Sequence, residues 1–226
     1  MILSASWPSL IMLCMAAFLV GSIPFGLVVG QLVKGVDLRK VGSGNIGAAN
    51  AFRTLGPVLG VGVLLLDALK GYVPVILAGR MFAMFAMFAP QHVPGPHAAE
   101  VVVGLCAIIG HNNSIYLGFK GGKGIATMFG VILALSPTAT LFAALTWGCV
   151  MATTRYASLS SLCAATSIPL YLMFTHAPTA YVMFGMLSCV LAFVRHRTNI
   201  QNLVSGRELR FSSKVPRQNG DPVAKT

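Results

Sequence analysis

The sequence predicts an all-α membrane protein that crosses the bilayer seven times, with its N-terminus outside and its C-terminus in the cytoplasm. Three observations predict this. Of 226 residues, 56% are hydrophobic and only 9% are charged, whereas soluble domains carry about 25% charged residues. There are too few polar side chains to coat a globule in water, so lipid must be the solvent for most of the surface. The apolar residues fall in several long blocks, which describes a bundle and not a single anchor, and mean hydropathy is +0.79. The basic residues gather in alternate segments between the blocks, as the positive-inside rule requires of a multi-pass chain.

The first span runs from Leu10 to Val33. Met1 to Leu10 holds no Lys or Arg, while Lys34, Arg39 and Lys40 form a basic flank, so this is a retained span and not a cleaved signal. The second span, Pro57 to Ala78, carries Asp67 and Lys70 within it. Charges at that depth are costly and are either paired or functional, and mutual pairing is the favoured reading. The repeat Met81-Phe-Ala-Met-Phe-Ala-Met-Phe-Ala89 is packing or interfacial material. Ala98 to Leu117 is the third span. The block Ile125 to Thr154 is broken at Ser136-Pro137, and Ala157 to Val194 is broken at Thr175-His176-Ala177-Pro178. Two turns there bring the count to seven, although the pieces beside Pro137 are shorter than the roughly 17 residues of an ordinary span.

Charge sets the orientation. Arg53, Lys120, Lys123, Arg155, Arg195 and Arg197 flank one side, and the tail adds Arg207, Arg210, Lys214, Arg217 and Lys225. The segments Pro90 to His97 and Thr175 to Thr179 have no Lys or Arg. Termini on opposite sides require an odd number of spans. Residues 1–206 read as the membrane domain and 207–226, polar and containing Pro216, Gly220 and Pro222, as a disordered cytoplasmic tail. The formal charge of +11 thus reports topology, and nucleic acid is not a partner. The five cysteines all lie in apolar blocks and read as packing residues. Gly26-x-x-x-Gly30 and Gly56-x-x-x-Gly60 fit close helix approach.

Gly42-Ser-Gly-Asn-Ile-Gly47 is formally a GxGxxG, with Asp67 twenty residues further on. Without a strand before it and a helix after it, the dinucleotide reading fails. Its physics survives: Gly42 and Gly44 free backbone amides to form an anion nest, with Ser43 and Asn45 as further donors. Lys120-Gly121-Gly122-Lys123-Gly124 is a second glycine loop. It lacks the Walker spacing, which disfavours NTP hydrolysis, but two lysines at the opening of a helix suit a phosphate. His111, Arg155 to Ser158, and Arg195 to Asn199 fall at the same face. With only five acidic residues, carboxylates for magnesium are lacking, and no His or Cys pair has metal-ligand spacing. No metal and no cofactor is expected. Nor does any His have Asp five residues on, so the His-x4-Asp acyl-transfer device is absent.

In this order the motifs resemble those of the PlsY family, the bacterial glycerol-3-phosphate acyltransferases that use acyl phosphate. The likeness runs through Gly35-Val-Asp-Leu-Arg39, Gly42 to Asn50, Asp67-Ala-Leu-Lys-Gly71, Gly110-His111 and Lys120 to Thr127, and then Arg155 to Leu159, Arg195 to Ile200 and Gly206-Arg-Glu208. It departs at Gly44-Asn-Ile-Gly-Ala-Ala-Asn50, where the family has Gly-Asn-Pro-Gly-Ala-Thr-Asn or a close variant. It also departs at Asn113 and Ser114, where an aromatic residue and a proline are usual. The resemblance implies a multi-pass protein of the bacterial inner membrane with a cytoplasmic active site and no metal. The reaction would move an acyl group from acyl phosphate to the 1-hydroxyl of glycerol 3-phosphate. Ser43, Arg53, Lys123, Ser158, His196 and Asn199 would be the catalytic set, with Gly42, Gly44, Asn45, Lys120, Gly121, Gly122 and His111 around the phosphates. Membrane lipid and the soluble enzyme that makes acyl phosphate are the implied partners. The principal rival is a transporter of a phosphorylated metabolite, which would place its basic groups near the midplane in paired repeats. A lipid-binding scaffold is a third reading and leaves Ser43, Ser158 and Asn199 without a role.

Overall fold

The computed structural model describes residues 6–88 and 95–211, and every regular element among them is helical. The helices are α1 (Ser6–Ser22), α2 (Phe25–Lys34), α3 (Ala48–Leu55), α4 (Pro57–Phe88), α5 (Pro96–Asn112), α6 (Ile125–Leu135), α7 (Pro137–Thr154), α8 (Ala157–Phe174), α9 (Thr179–Arg195) and α10 (Arg197–Val204). Among the described residues, four stretches are long and apolar enough to cross a membrane, namely Trp7–Lys34, Pro57–Met87, His97–Leu117 and Ala157–Phe174. The pair α9 and α10, bent by 63° at His196, makes a fifth if taken as one span. The fold is an all-α, multi-pass membrane bundle.

Two elements differ from the sequence reading. The first span is not one helix, because α1 stops at Ser22 and α2 starts at Phe25. Pro24 has no amide hydrogen to continue the ladder, and at the break Ile23 O accepts from Phe25 N and, at 2.7 Å, from Lys70 Nζ, while the Ser114 hydroxyl reaches Ser22 O. Lys70 also stands over the Phe25 ring at 5.5 Å. The second span is longer than expected, since α4 runs on to Phe88 and absorbs the Met-Phe-Ala repeat up to that residue. Its 32 residues extend about 48 Å, well beyond a hydrocarbon core of about 30 Å, so α4 must tilt or project from the bilayer. The expected Asp67–Lys70 pair is present, with both side chains 2% exposed and 2.8 Å between Nζ and Oδ1.

Small residues set how closely the helices meet, as lipid-solvated helices require. A methyl group added at Gly130 of α6 would stand 1.8 Å from the Ala68 carbonyl oxygen of α4, and one at Gly71 would stand 2.3 Å from Thr127 O. The glycine pairs read from sequence act differently from one another. Gly26 admits the Ile46 carbonyl of a loop, Gly60 admits the backbone of Phe52 in α3, and Gly56 is the α3–α4 turn itself, at φ +96°. Beneath the site, Val131, Ile132, Ile168, Leu172 and Phe184 form the core where α6, α8 and α9 meet. Gly62, by contrast, has nothing within 4 Å of its missing methyl. Gly62→Ala is therefore expected to hold or raise the unfolding midpoint in detergent, by up to about 1 kcal/mol from helix propensity. Gly130→Ala is expected to lower it by about 1–3 kcal/mol through overpacking. Equal midpoints for the two variants in a thermal melt would contradict this packing.

Candidate active site

The site is built where loops and helix ends converge at one end of the bundle. Its first wall is the loop before α3. Gly42 and Gly44 turn at φ +60° and +69°, a region that costs other residues strain, and a side chain at Gly42 would meet Asn50 Oδ1 at 2.2 Å. Asn50, buried in the first turn of α3, organises the loop. Its Oδ1 accepts from Ser43 N at 2.9 Å, and its Nδ2 donates to the carbonyls of Leu38, Val41 and Asn45. The anion nest read from the glycines is therefore not open as expected. The amides of Ser43, Gly44 and Gly47 are taken by Asn50 Oδ1, Val41 O and Asn45 Oδ1. What the loop presents outward is exposed Ser43. One turn after Asn50 stands Arg53, half-buried, its Nε sequestered without a hydrogen-bond partner.

The second wall is the glycine loop that opens α6. Gly122 N donates to His111 O at 3.0 Å. Methyl groups at Gly121 and Gly122 would stand 2.0 Å from His111 O and 2.2 Å from His111 Nε2. These two glycines are glycine because the loop lies directly on α5. His111, expected to contact phosphate, is only 4% exposed and lies underneath, its Nδ1 3.8 Å from Asp67 Oδ1. In this geometry it supports the loop from below. Lys120 is exposed at the rim, whereas Lys123 points inward and donates to Asn199 Oδ1 at 2.6 Å.

The third wall comes from the kink between α9 and α10 and the start of α8. Arg195 holds Gly122 O through Nε and Nη2 at 3.1 and 2.7 Å, and Gly121 O through Nη2 at 3.1 Å. His196 is buried at the kink, with Nδ1 2.8 Å from Ala192 O. A carbonyl partner requires the proton on Nδ1, which leaves Nε2 as the acceptor of the neutral ring. Asn199 Nδ2 and the Ser158 hydroxyl both donate to Glu208 Oε1, at 2.7 and 2.6 Å. Glu208 belongs to the stretch assigned to the tail. Residues 207–211 lie across the site, with Phe211 N bonded to Arg155 O and the Phe211 ring 4.9 Å from that of Phe52. Residues 212–226 lie outside the described residues.

The electrostatics are those of a cationic pocket holding one acid. Burial pulls the Lys123 ammonium down to about 8, Glu208 opposes that shift, and Arg53 and Arg195 add to it. Burial likewise lowers Arg53, with Glu208 pushing back. Four of the residues selected from sequence, Arg53, Lys123, Ser158 and Asn199, thus meet around Glu208, with His196 at the adjoining kink. Sequence reading gave no role to Glu208, Arg195 or the structural use of Asn50. One signal was available for Glu208: it is one of five acids in the chain and stands between Arg207 and Arg210.

Residues 11–206 match the family model described as glycerol-3-phosphate acyltransferase. A glycerol-3-phosphate acyltransferase of Desulforudis audaxviator is 44% identical over 196 residues, covering 87% of this chain and 92% of the relative. The crystal structure of PlsY (YgiH), an integral membrane glycerol 3-phosphate acyltransferase, in its glycerol 3-phosphate form superposes with a TM-score of 0.81 at 41% identity, covering 90% of this chain and 96% of that one. Its lysophosphatidic acid form gives 0.79 at 39% identity, covering 89% and 95%. With its helices, its glycine loops and nearly its whole length matched, this chain belongs to the glycerol-3-phosphate acyltransferase family.

Proposed function

We propose that this chain transfers a fatty acyl group from acyl phosphate to the 1-hydroxyl of sn-glycerol 3-phosphate, giving lysophosphatidic acid and inorganic phosphate. The observation that carries the reading is the cluster of Arg53, Lys123, Ser158 and Asn199 around a single carboxylate, in a member of this family. The hydroxyl oxygen attacks the acyl carbonyl carbon, the bond from that carbon to the phosphate oxygen breaks, and phosphate departs with the electron pair. The hydroxyl proton passes to His196 Nε2 or to a phosphate oxygen. Acyl phosphate is already activated, so the protein has two tasks: to bring two anions together and to stabilise the charge that forms on the carbonyl.

Arg53 offers a planar fork to a substrate phosphate and Lys123 a point charge beside it. Ser158 and Asn199 orient the acceptor, and exposed Ser43 donates to a phosphate or to the carbonyl oxygen. Gly42, Gly44 and Asn45 hold Ser43 in place, and Lys120 attracts anions at the rim. Seven spans follow if α6 and α7 are two short crossings, with the N-terminus outside, the site on the cytoplasmic face of the bacterial inner membrane and the tail inside. A transporter of a phosphorylated metabolite is disfavoured because the cations cluster at helix ends.

Three outcomes test this reading. Arg53→Lys keeps charge and topology but removes the fork, so kcat/KM with acyl phosphate and glycerol 3-phosphate should fall at least tenfold, about 1.4 kcal/mol; wild-type kinetics would reduce Arg53 to a topology signal. Lys123 binds phosphate only when protonated, and its pKa is about 8. In the free enzyme kcat/KM should hold below that pH and fall above it, and Lys123→Arg should carry the plateau to higher pH. In a cysteine-free background, an impermeant thiol reagent applied to intact cells should modify Gly95→Cys and spare Ser205→Cys; the reverse pattern would invert the orientation.

A further inference from the structure

Arg195 lies on the last residue of α9, beside the site but not in it. Its guanidinium spends its donors on main chain, holding the carbonyl oxygens of Gly121 and Gly122 at 2.7–3.1 Å. From below, the same loop is held by His111, whose carbonyl takes Gly122 N at 3.0 Å. The loop is thus gripped on both faces of one residue, and the next residue in the chain is Lys123. Lys123 in turn reaches back to Asn199, four residues after Arg195 on the far side of the kink. Two consecutive glycines resist ordering more than any other pair, and a bidentate guanidinium is the side chain that fixes planar acceptors in both position and angle.

We propose that Arg195 is a positioning residue for the phosphate site, a clamp that locks the glycine loop onto the end of α9 so that Lys123 is delivered to the substrate. The inference rests on the acyl-transfer reading above. The charged and titratable groups that face Lys123 are Glu208 from the segment 207–211, Arg53 from α3, and Arg195 and His196 from the kink. Arg195 therefore acts on Lys123 in two separable ways, through the loop it holds and through the positive charge it places nearby.

Two variants separate them. Arg195→Met keeps the aliphatic stem and loses both fork and charge; Arg195→Lys keeps the charge and loses the fork. The clamp predicts that Arg195→Met raises the KM for glycerol 3-phosphate at least tenfold, with a smaller change in kcat. It also predicts an alkaline limb of kcat/KM displaced above the wild-type value near 8, because a neighbouring cation has gone. Arg195→Lys should keep the limb at its wild-type position and still show a KM raised several-fold. A wild-type KM in Arg195→Lys would mean that charge alone matters and would overturn the clamp, as would a wild-type KM in Arg195→Met. If Arg195→Met does not insert or purify, the KM of Arg195→Lys decides alone. Wild-type protein that fails to acylate glycerol 3-phosphate from acyl phosphate would refute the acyl-transfer reading itself. Active wild type with indifferent Arg195 variants would refute only the clamp.

Discussion

The buried pair Asp67–Lys70 sets conditions that the rest of the molecule meets. An unpaired charge at the centre of a spanning helix costs about 2.5–3.5 kcal/mol even on the mildest scales, and these two side chains are each 2% exposed. Each neutralises the other, but an ammonium has three donors and Asp67 satisfies only part of that capacity. The Ile23 carbonyl takes another at 2.7 Å. That carbonyl lies at the break between α1 and α2, where its backbone partner is Phe25 N, and the helical ladder resumes with Val28 N on Pro24 O. The break in the first span and the charge in the second are thus each other's solution. Ser114 closes the neighbouring carbonyl of Ser22, which brings α5 to the same point.

From that node the constraint passes upward to the chemistry. His111 stands between Asp67 and the glycine loop, its Nδ1 3.8 Å from the carboxylate and its Nε2 packed against Gly122. The loop rests on it, so the height of Lys123 above the bundle is set by the depth of a charge pair in α4. The close crossing of α4 and α6, which leaves no room for a methyl at Gly71 or Gly130, holds the same register from the other side. A phosphate site made of flexible side chains on mobile loops would lose affinity to ordering entropy. Here the loop is fixed by main-chain contacts, and few rotamers remain to be frozen.

How much of this was legible in the sequence depended on range. The helices and the membrane class followed from composition and apolar blocks, which are local. The break at Pro24 was hidden, because Pro74 and Pro169 lie inside unbroken helices. Proline alone does not decide, and at this break the carbonyls of Ile23 and Ser22 are met by Lys70 and Ser114, 47 and 92 residues away. Ser114 is one of the two departures from the family pattern, and its role was invisible until α1 was placed. The scaffold role of Asn50 was hidden, since spacing shows which polar groups are near a loop but not which way they face. Gly121 and Gly122 looked like an anion cradle and are first a steric requirement of His111. Glu208 escaped because it meets Ser158 across fifty residues of chain.

On the acyl-transfer reading proposed above, the same geometry suits a phosphate. Arg53, Lys123 and Arg195 all feel one another or Lys123 at close range, and the single acid among them, Glu208, already accepts from Ser158 and Asn199. One carboxylate cannot satisfy that many donors. The Arg53 Nε, buried with no partner, is the visible remainder, and a buried unpaired donor costs about 1–3 kcal/mol, more when charged. Asp67 Oδ1, His111 Nδ1, Asn112 Oδ1, Thr127 Oγ1 and Ser188 Oγ are also buried without a hydrogen-bond partner, but none of them belongs to a guanidinium or an ammonium. An arriving acceptor with several oxygens and more than one negative charge would meet the free N–H of the Arg53 guanidinium and its charge together. A phosphate monoester supplies both, and its binding relieves the mutual repulsion of the cations at the same step.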